Sequence, residues 1–214
     1  HCLRCDPLCC RISYLRIMLI GITGSIASGK SVVSKILKLL DFEVVCADDE
    51  AKKLYYNKDV ADKINDNVGF ELVDWNTPNF RNIADFSFCS VENTKKITDV
   101  LYPVLLDELL SKRSSANADE LIFVEAALIF ESGWNGFFDK IVCVYAPQSV
   151  RYERLKLRNP ANFDNCIERD KMQMNDVVKM ESSDFVIFND DTKAVLPQIF
   201  NVIEKLKCYE SNRR

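Results

Sequence analysis

The sequence predicts an α/β fold, a five-stranded parallel sheet flanked by helices, and three observations carry that prediction. Apolar runs at residues 19–23, 121–124 and 140–145 are continuous rather than alternating, the pattern of strands buried on both faces. Shorter runs lie at residues 43–46 and 184–188. Between the runs the period becomes helical, as in residues 31–40, where Val33, Ile36, Leu37 and Leu40 recur at three and four residues and share one face. The third observation is a glycine-bearing turn that joins the first strand to that helix. Strands alternating with helices make a doubly wound sheet, because each parallel crossover uses a helix to return the chain.

At 214 residues, 48% of them apolar, the chain can bury one core without staples, so a single domain is expected over residues 18–214. Its 28 Lys and Arg against 32 Asp and Glu give a formal net charge of −4, so no global basic field points to nucleic acid or an anionic membrane. Any anion has to be captured locally. No apolar run approaches the roughly 18 residues that a membrane-spanning helix needs. Of nine cysteines, Cys46, Cys89, Cys143, Cys166 and Cys208 stand singly in strand-like or helical segments, which predicts reduced thiols and a cytoplasmic location. The oligomeric state is not written in the sequence; a monomer is expected.

The other four cysteines crowd the opening HCLRCDPLCC, where Cys2 and Cys5 have the two-residue gap of a zinc site. No second Cys or His pair with ligand spacing follows, and His1 is the single histidine. Residues 1–17 are therefore expected to be a leader outside the fold, with Met18 the alternative start.

Two stretches break the alternation. Residues 57–115 hold the polar patch NDNVGFELVDWNTPNF and then a helical pattern through Ile97, Val100, Leu101, Val104 and Leu105, which reads as a helical insertion able to cover a second substrate. Residues 151–182 are rich in Arg and Lys and are broken at Asn159-Pro160. They read either as a solvated helical pair or as a lid beside a nucleotide site.

The most specific signal is Gly24-Ser25-Ile26-Ala27-Ser28-Gly29-Lys30-Ser31, which fits G-x-x-x-x-G-K-[ST] between a strand and an amphipathic helix. By chance the pattern arises in about one chain of this length in a hundred, before its strand and helix context is counted. Glycines let such a loop curl so that its N–H groups face phosphate oxygens, and the helix N-terminus adds partial positive charge. Lys30 would reach the β- and γ-phosphates of ATP, and the Ser31 hydroxyl would ligate Mg²⁺. The fold class is thus a P-loop NTPase.

The next strand ends in Cys46-Ala47-Asp48-Asp49, which brings a carboxylate to the carboxyl edge of the sheet, where the γ-phosphate would lie. Asp48 would accept a hydrogen bond from an attacking hydroxyl as a catalytic base. Equally, it would serve as N-cap of a helix starting at Asp49, and the two roles compete for the same oxygens. Asp49 and Glu125 are the alternative bases.

The run GITGSIASGKS followed by VVCADDEAKKL resembles the opening of the dephospho-coenzyme A kinase family. VEAALIFESG, DKIVCVYAPQSVRYERLKLRN, RDKMQ and SDFVIFND follow that family's order of segments, from about Met18 to Lys207. The resemblance implies a P-loop kinase that phosphorylates dephospho-coenzyme A from ATP with Mg²⁺, with a helical substrate insertion and a lid. It implies that Ala27, Ser28, Gly29, Lys30, Ser31 and Val32 contact ATP phosphates, and that Asp48 is the base. Arg154 and Arg158 would belong to the lid and Arg169 and Gln173 to the lid-side helix, with Asn189 and Asp190 at the nucleotide end of the last strand.

There are departures from the family pattern. Ser25 and Ala27 stand for glycines, Cys46 for an Asp, Lys52 for an Arg, Tyr102 for a His and Ala127 for a Pro. Ala27 calls for a negative φ at that point of the loop, and Lys52 keeps charge but loses bidentate phosphate recognition. A kinase of another small alcohol or nucleotide, or a nucleotide-binding regulator without catalysis, are the alternative functions.

Overall fold

The structure is a computed structural model that describes residues 18–111 and 121–211. Its strands are β1 (Met18–Thr23), β2 (Glu43–Cys46), β3 (Leu121–Glu125), β4 (Lys140–Tyr145) and β5 (Phe185–Phe188). They form one sheet in the order β2-β3-β1-β4-β5, with every pairing parallel. Each strand agrees with its apolar run to within one residue at either end. Because the strands are parallel, all their carboxyl ends open on one edge, and β1 lies in the middle of it.

Helix α1 (Lys30–Leu39) follows β1, and α2 (Ala47–Leu54) follows β2 directly. On one face of the sheet, Ile20, Ile22, Phe123, Val142 and Val144 pack against Val33 and Leu37 of α1. Ile199, Val202, Ile203 and Leu206 of the closing helix, Val195–Ser211, complete that layer. Each such fully buried side chain contributes about 1.5–3 kcal/mol by leaving water.

The insertion expected at residues 57–115 is helical as far as it is described, with α3 (Lys58–Val68), α4 (Phe80–Ser87) and α5 (Val91–Ser111). Asn57 and Asn79 cap α3 and α4 through their side-chain oxygens. Ile97, Leu101 and Leu105 of α5 are buried with Leu54, Val60, Ile64 and Ile83 against Val124, Ile129 and Trp134, which covers the second face of the sheet. The polar patch is organised by Asn65, whose Oδ1 accepts from Leu72 N and Val73 N at 2.8 and 2.9 Å while its Nδ2 donates to Val73 O at 2.9 Å.

Residues 151–182 fall in α6 (Gln148–Arg158), α7 (Phe163–Lys171) and α8 (Asp176–Glu181), so α6 begins ahead of the expected segment. The closing helix is α9. The expectations for the leader and its cysteines concern residues 1–17, which lie outside the described residues.

Candidate functional site

The turn after β1 needs glycine at two points. A Cβ on Gly24 (φ 145°) would meet the Val144 carbonyl oxygen, and one on Gly29 (φ 102°) would collide with Asn189 Nδ2. Ala27 corrects the sequence expectation: its φ is +61°, left-handed rather than negative. That conformation costs a non-glycine residue about 1–2 kcal/mol, and it persists because hydrogen bonds fix the peptides on both sides. Ile26 N donates to Gln173 Oε1 at 3.0 Å, and Ile26 O accepts from Arg151 Nη1 at 3.1 Å. Ser28 N donates to Ser25 O at 3.1 Å, and Ser28 O accepts from Asn189 Nδ2 at 2.8 Å.

The loop forms one wall of a cleft of about 620 Å³ at the carboxyl edge of the sheet. Ala27, Gly29, Lys30, Ser31 and Val32 line that wall, Asp48 comes from the first turn of α2 and Glu125 from the end of β3, and Arg154, Arg158, Arg169, Gln173 and Asn189 complete the lining. Ser28 is the exception among the expected loop residues, since it is buried and does not line the cleft. Asp190 also stays out, accepting from Thr192 N and Oγ1 at 3.0 and 2.7 Å.

Lys30 Nζ donates to Gly24 O at 2.6 Å and to Ser25 O at 3.2 Å, so its ammonium lies over the loop carbonyls. Burial, reinforced by the Lys179 charge, brings its pKa down to about 8, while Glu125 and Asp48 pull the other way. Asp48 is reached by solvent from the cleft, yet enclosing protein raises its pKa; Lys30 opposes that and Glu125 adds to it. Lys30, Asp48 and Glu125 share the cleft, where the two carboxylates favour the Lys30 ammonium.

The helix-cap reading of Asp48 is corrected. β2 runs into α2 without a loop, so the helix begins at Ala47, Cys46 holds the N-cap position, and no side chain caps it. Asp48 lies in the first turn, where a carboxylate is favoured by the helix dipole while its oxygens stay available to the cleft.

Arg154 Nη2 donates to Asn189 O and Asp191 Oδ1, both at 2.9 Å, and its Nη1 is buried with no partner among the described residues. Arg169 lies over the Phe88 ring at 4.7 Å, and Phe88 itself faces the cleft from the end of α4. A second hollow of about 240 Å³, lined by Phe88, Thr94, Leu128, Glu131, Met172 and Gln173 among others, adjoins the cleft through Phe88 and Gln173. Of the six departures, Ala27 and Ala127 line the cleft and Ser25, Cys46, Lys52 and Tyr102 do not. Lys52 is exposed and pairs with Asp49 at 3.0 Å, and Tyr102 stacks on Trp134 with centroids 3.8 Å apart.

Sequence reasoning missed Phe88, which no motif marks, and it missed two buried ion pairs. Lys179 is fully buried and meets Glu131 at 2.8 Å, and Arg151 is buried against Asp170 and Asp176. Both lysine and arginine sit in a stretch whose composition reads as solvated, and their partners lie 19 to 48 positions away, beyond any local pattern. Among the described residues no group of three or more His, Cys, Asp or Glu is placed to hold a metal ion, and no helix is long and apolar enough to cross a membrane.

A loop shaped for phosphates, facing a carboxylate able to receive an alcohol proton across one cleft, places the chain in the class of P-loop kinases. The dephospho-CoA kinase family model matches residues 18–194, and the chain belongs to that family. It is 35% identical over 185 residues to the dephospho-CoA kinase of Bacteroides fragilis strain YCH46, covering 86% of this chain and 90% of the relative. With the dephospho-CoA kinase of Fusobacterium nucleatum it shares 31% identity over 195 residues, 89% of this chain and 97% of the relative. The crystal structure of TT1252 from Thermus thermophilus superposes with a TM-score of 0.70 at 27% identity, covering 90% of this chain and 97% of that one.

Proposed function

We propose that the chain phosphorylates the ribose 3′-hydroxyl of dephospho-CoA with ATP, giving CoA and ADP, the last step of CoA biosynthesis. The observation that carries this reading is that the loop residues Ala27, Gly29, Lys30 and Ser31 and the Asp48 carboxylate line one cleft at the carboxyl edge of the sheet. Family membership supplies the identity of the acceptor.

In this reading the N–H groups from Ala27 to Val32 wrap the phosphates, and the Lys30 ammonium moves from the loop carbonyls onto the β- and γ-oxygens. Asp48 orients the 3′-hydroxyl and takes its proton as the new O–P bond forms and the bond to ADP breaks. Enclosing protein raises the pKa of that carboxylate, which increases its basicity. Arg154, Arg158 and Arg169, which line the cleft, would neutralise charge on the transferring group. The hollow beside Phe88 would take part of the acceptor that does not react.

Mg²⁺ fits the donor set, because the Ser31 hydroxyl and the nearby Asp48 and Glu125 carboxylates are hard oxygen donors. Ser31 would hold the ion with phosphate oxygens, and the ion would supply charge neutralisation at the phosphates. Cys46, Cys89, Cys143, Cys166 and Cys208 are free thiols, which suits a reducing cytoplasm.

The test is product identification across a panel of acceptors that includes dephospho-CoA, adenosine and shikimate. CoA formed with the highest kcat/KM supports the reading, and preferential turnover of another alcohol would contradict it.

A further inference from the structure

The phosphate-binding loop is gripped from behind by the lid-side helices through a buried charged network. Arg151, 2% exposed, donates through Nη1 to Asp170 Oδ1 at 2.5 Å and through Nη2 to Asp170 Oδ2 at 3.2 Å. Its Nη2 also donates to Asp176 Oδ2 at 2.9 Å, and its Nη1 to the Ile26 carbonyl at 3.1 Å. The Ser25 hydroxyl donates to the other oxygen of Asp176. Gln173 accepts from Ile26 N on the opposite side of the same residue. One arginine on α6 thus ties α7 and α8 to loop residues 25 and 26, immediately ahead of left-handed Ala27.

None of Arg151, Asp170 or Asp176 lines the nucleotide cleft, so the network does not serve ATP by contact. A buried guanidinium shared between two carboxylates is geometrically exacting, because its planar fork fixes both partners at once. Loop residue 27 is strained in its present conformation, and strain of this kind survives when the surroundings leave no alternative. We propose that Arg151 is a positioning residue, which holds the Ile26 peptide and so keeps Ala27 left-handed and the loop N–H groups aimed at phosphate. This rests on the reading of the loop as the ATP site.

The experiment measures affinity for ADP with magnesium by calorimetry on the full chain, beside melting temperature. Arg151→Met is expected to weaken ADP binding about tenfold, the equilibrium cost of releasing a non-glycine residue from the left-handed region. Adding Ala27→Gly to Arg151→Met should recover most of that affinity, because glycine adopts the left-handed conformation freely. The melting temperature lost with the ion pairs should not return with it. A purely structural role predicts the reverse, with no recovery of affinity by glycine, and that result overturns the proposal. If Arg151→Met does not fold, Ser25→Ala, which cuts only the link to Asp176, should show a smaller loss that Ala27→Gly again repairs. Unchanged affinity in every folded variant overturns the proposal while leaving the ATP site intact. Failure of the unaltered chain to bind ADP overturns the reading of the site itself.

Discussion

The side-chain amide of Asn189 donates to the Ser28 carbonyl at 2.8 Å, and its nitrogen occupies the space that a Cβ on residue 29 would need. The end of β5 is thereby keyed to the loop after β1 through an atom that only glycine leaves room for. Arg154 extends the contact by donating to the Asn189 carbonyl at 2.9 Å.

Gly29→Ala should therefore destabilise the chain and weaken ADP binding more than tenfold, since both the clash and the positive φ oppose a side chain. Truncating the neighbour in the double variant with Asn189→Ala removes the clash but not the φ strain, about 1–2 kcal/mol. Partial recovery of the melting temperature, with binding still impaired, is the expected pattern by thermal denaturation and calorimetry. Full recovery would place the whole effect in the clash.

Asp48→Asn should keep ATP binding and lower phosphoryl transfer by about 10²- to 10⁴-fold, the range of a positioned acid or base. The lower end is expected, because a loose phosphoryl-transfer transition state needs little early deprotonation of the hydroxyl. The variant should also melt slightly higher at neutral pH. A carboxyl whose pKa is raised by folding destabilises the native state once ionised, and the amide removes that cost. An unchanged rate would move the base to Glu125, which shares the cleft floor.

Lys30 gives a pH dependence of defined sign. With its pKa near 8 in the folded chain, the ammonium is present below that value and lost above it, and bound phosphate favours the charged form. ADP binding should therefore take up a proton just above pH 8, and affinity should fall as pH rises from about 7 to about 9.5. Calorimetry in buffers of different ionisation enthalpy measures the uptake directly. Lys30→Met should abolish both the uptake and the slope in this window.

Most of the sheet was legible in the sequence because strands buried on both faces must be apolar where they are buried, as residues 141–144 show. The loop was legible for a different reason: Gly24, Gly29 and Lys30 each answer a local demand of backbone or phosphate that few other residues meet. Ala27 misled, because its left-handed turn is imposed by Arg151, Gln173 and Asn189 from elements more than a hundred residues downstream. Asp48 was placed at the correct edge, but its rank within α2 depended on β2 entering the helix without a loop, a matter of one or two residues that periodicity does not resolve. Arg151 and Lys179 were illegible as buried groups, since their composition is that of a solvated surface and only tertiary partners bury them.

Transfer of phosphate from ATP to an acceptor alcohol in this cleft is tested by the rate of ADP release with and without dephospho-CoA. Slow release from ATP alone is expected, with a large acceleration on adding dephospho-CoA, one CoA formed per ADP, and loss of that acceleration in Lys30→Ala with unchanged circular dichroism. Release at the same rate with and without acceptor, or acceleration that survives Lys30→Ala, would contradict it.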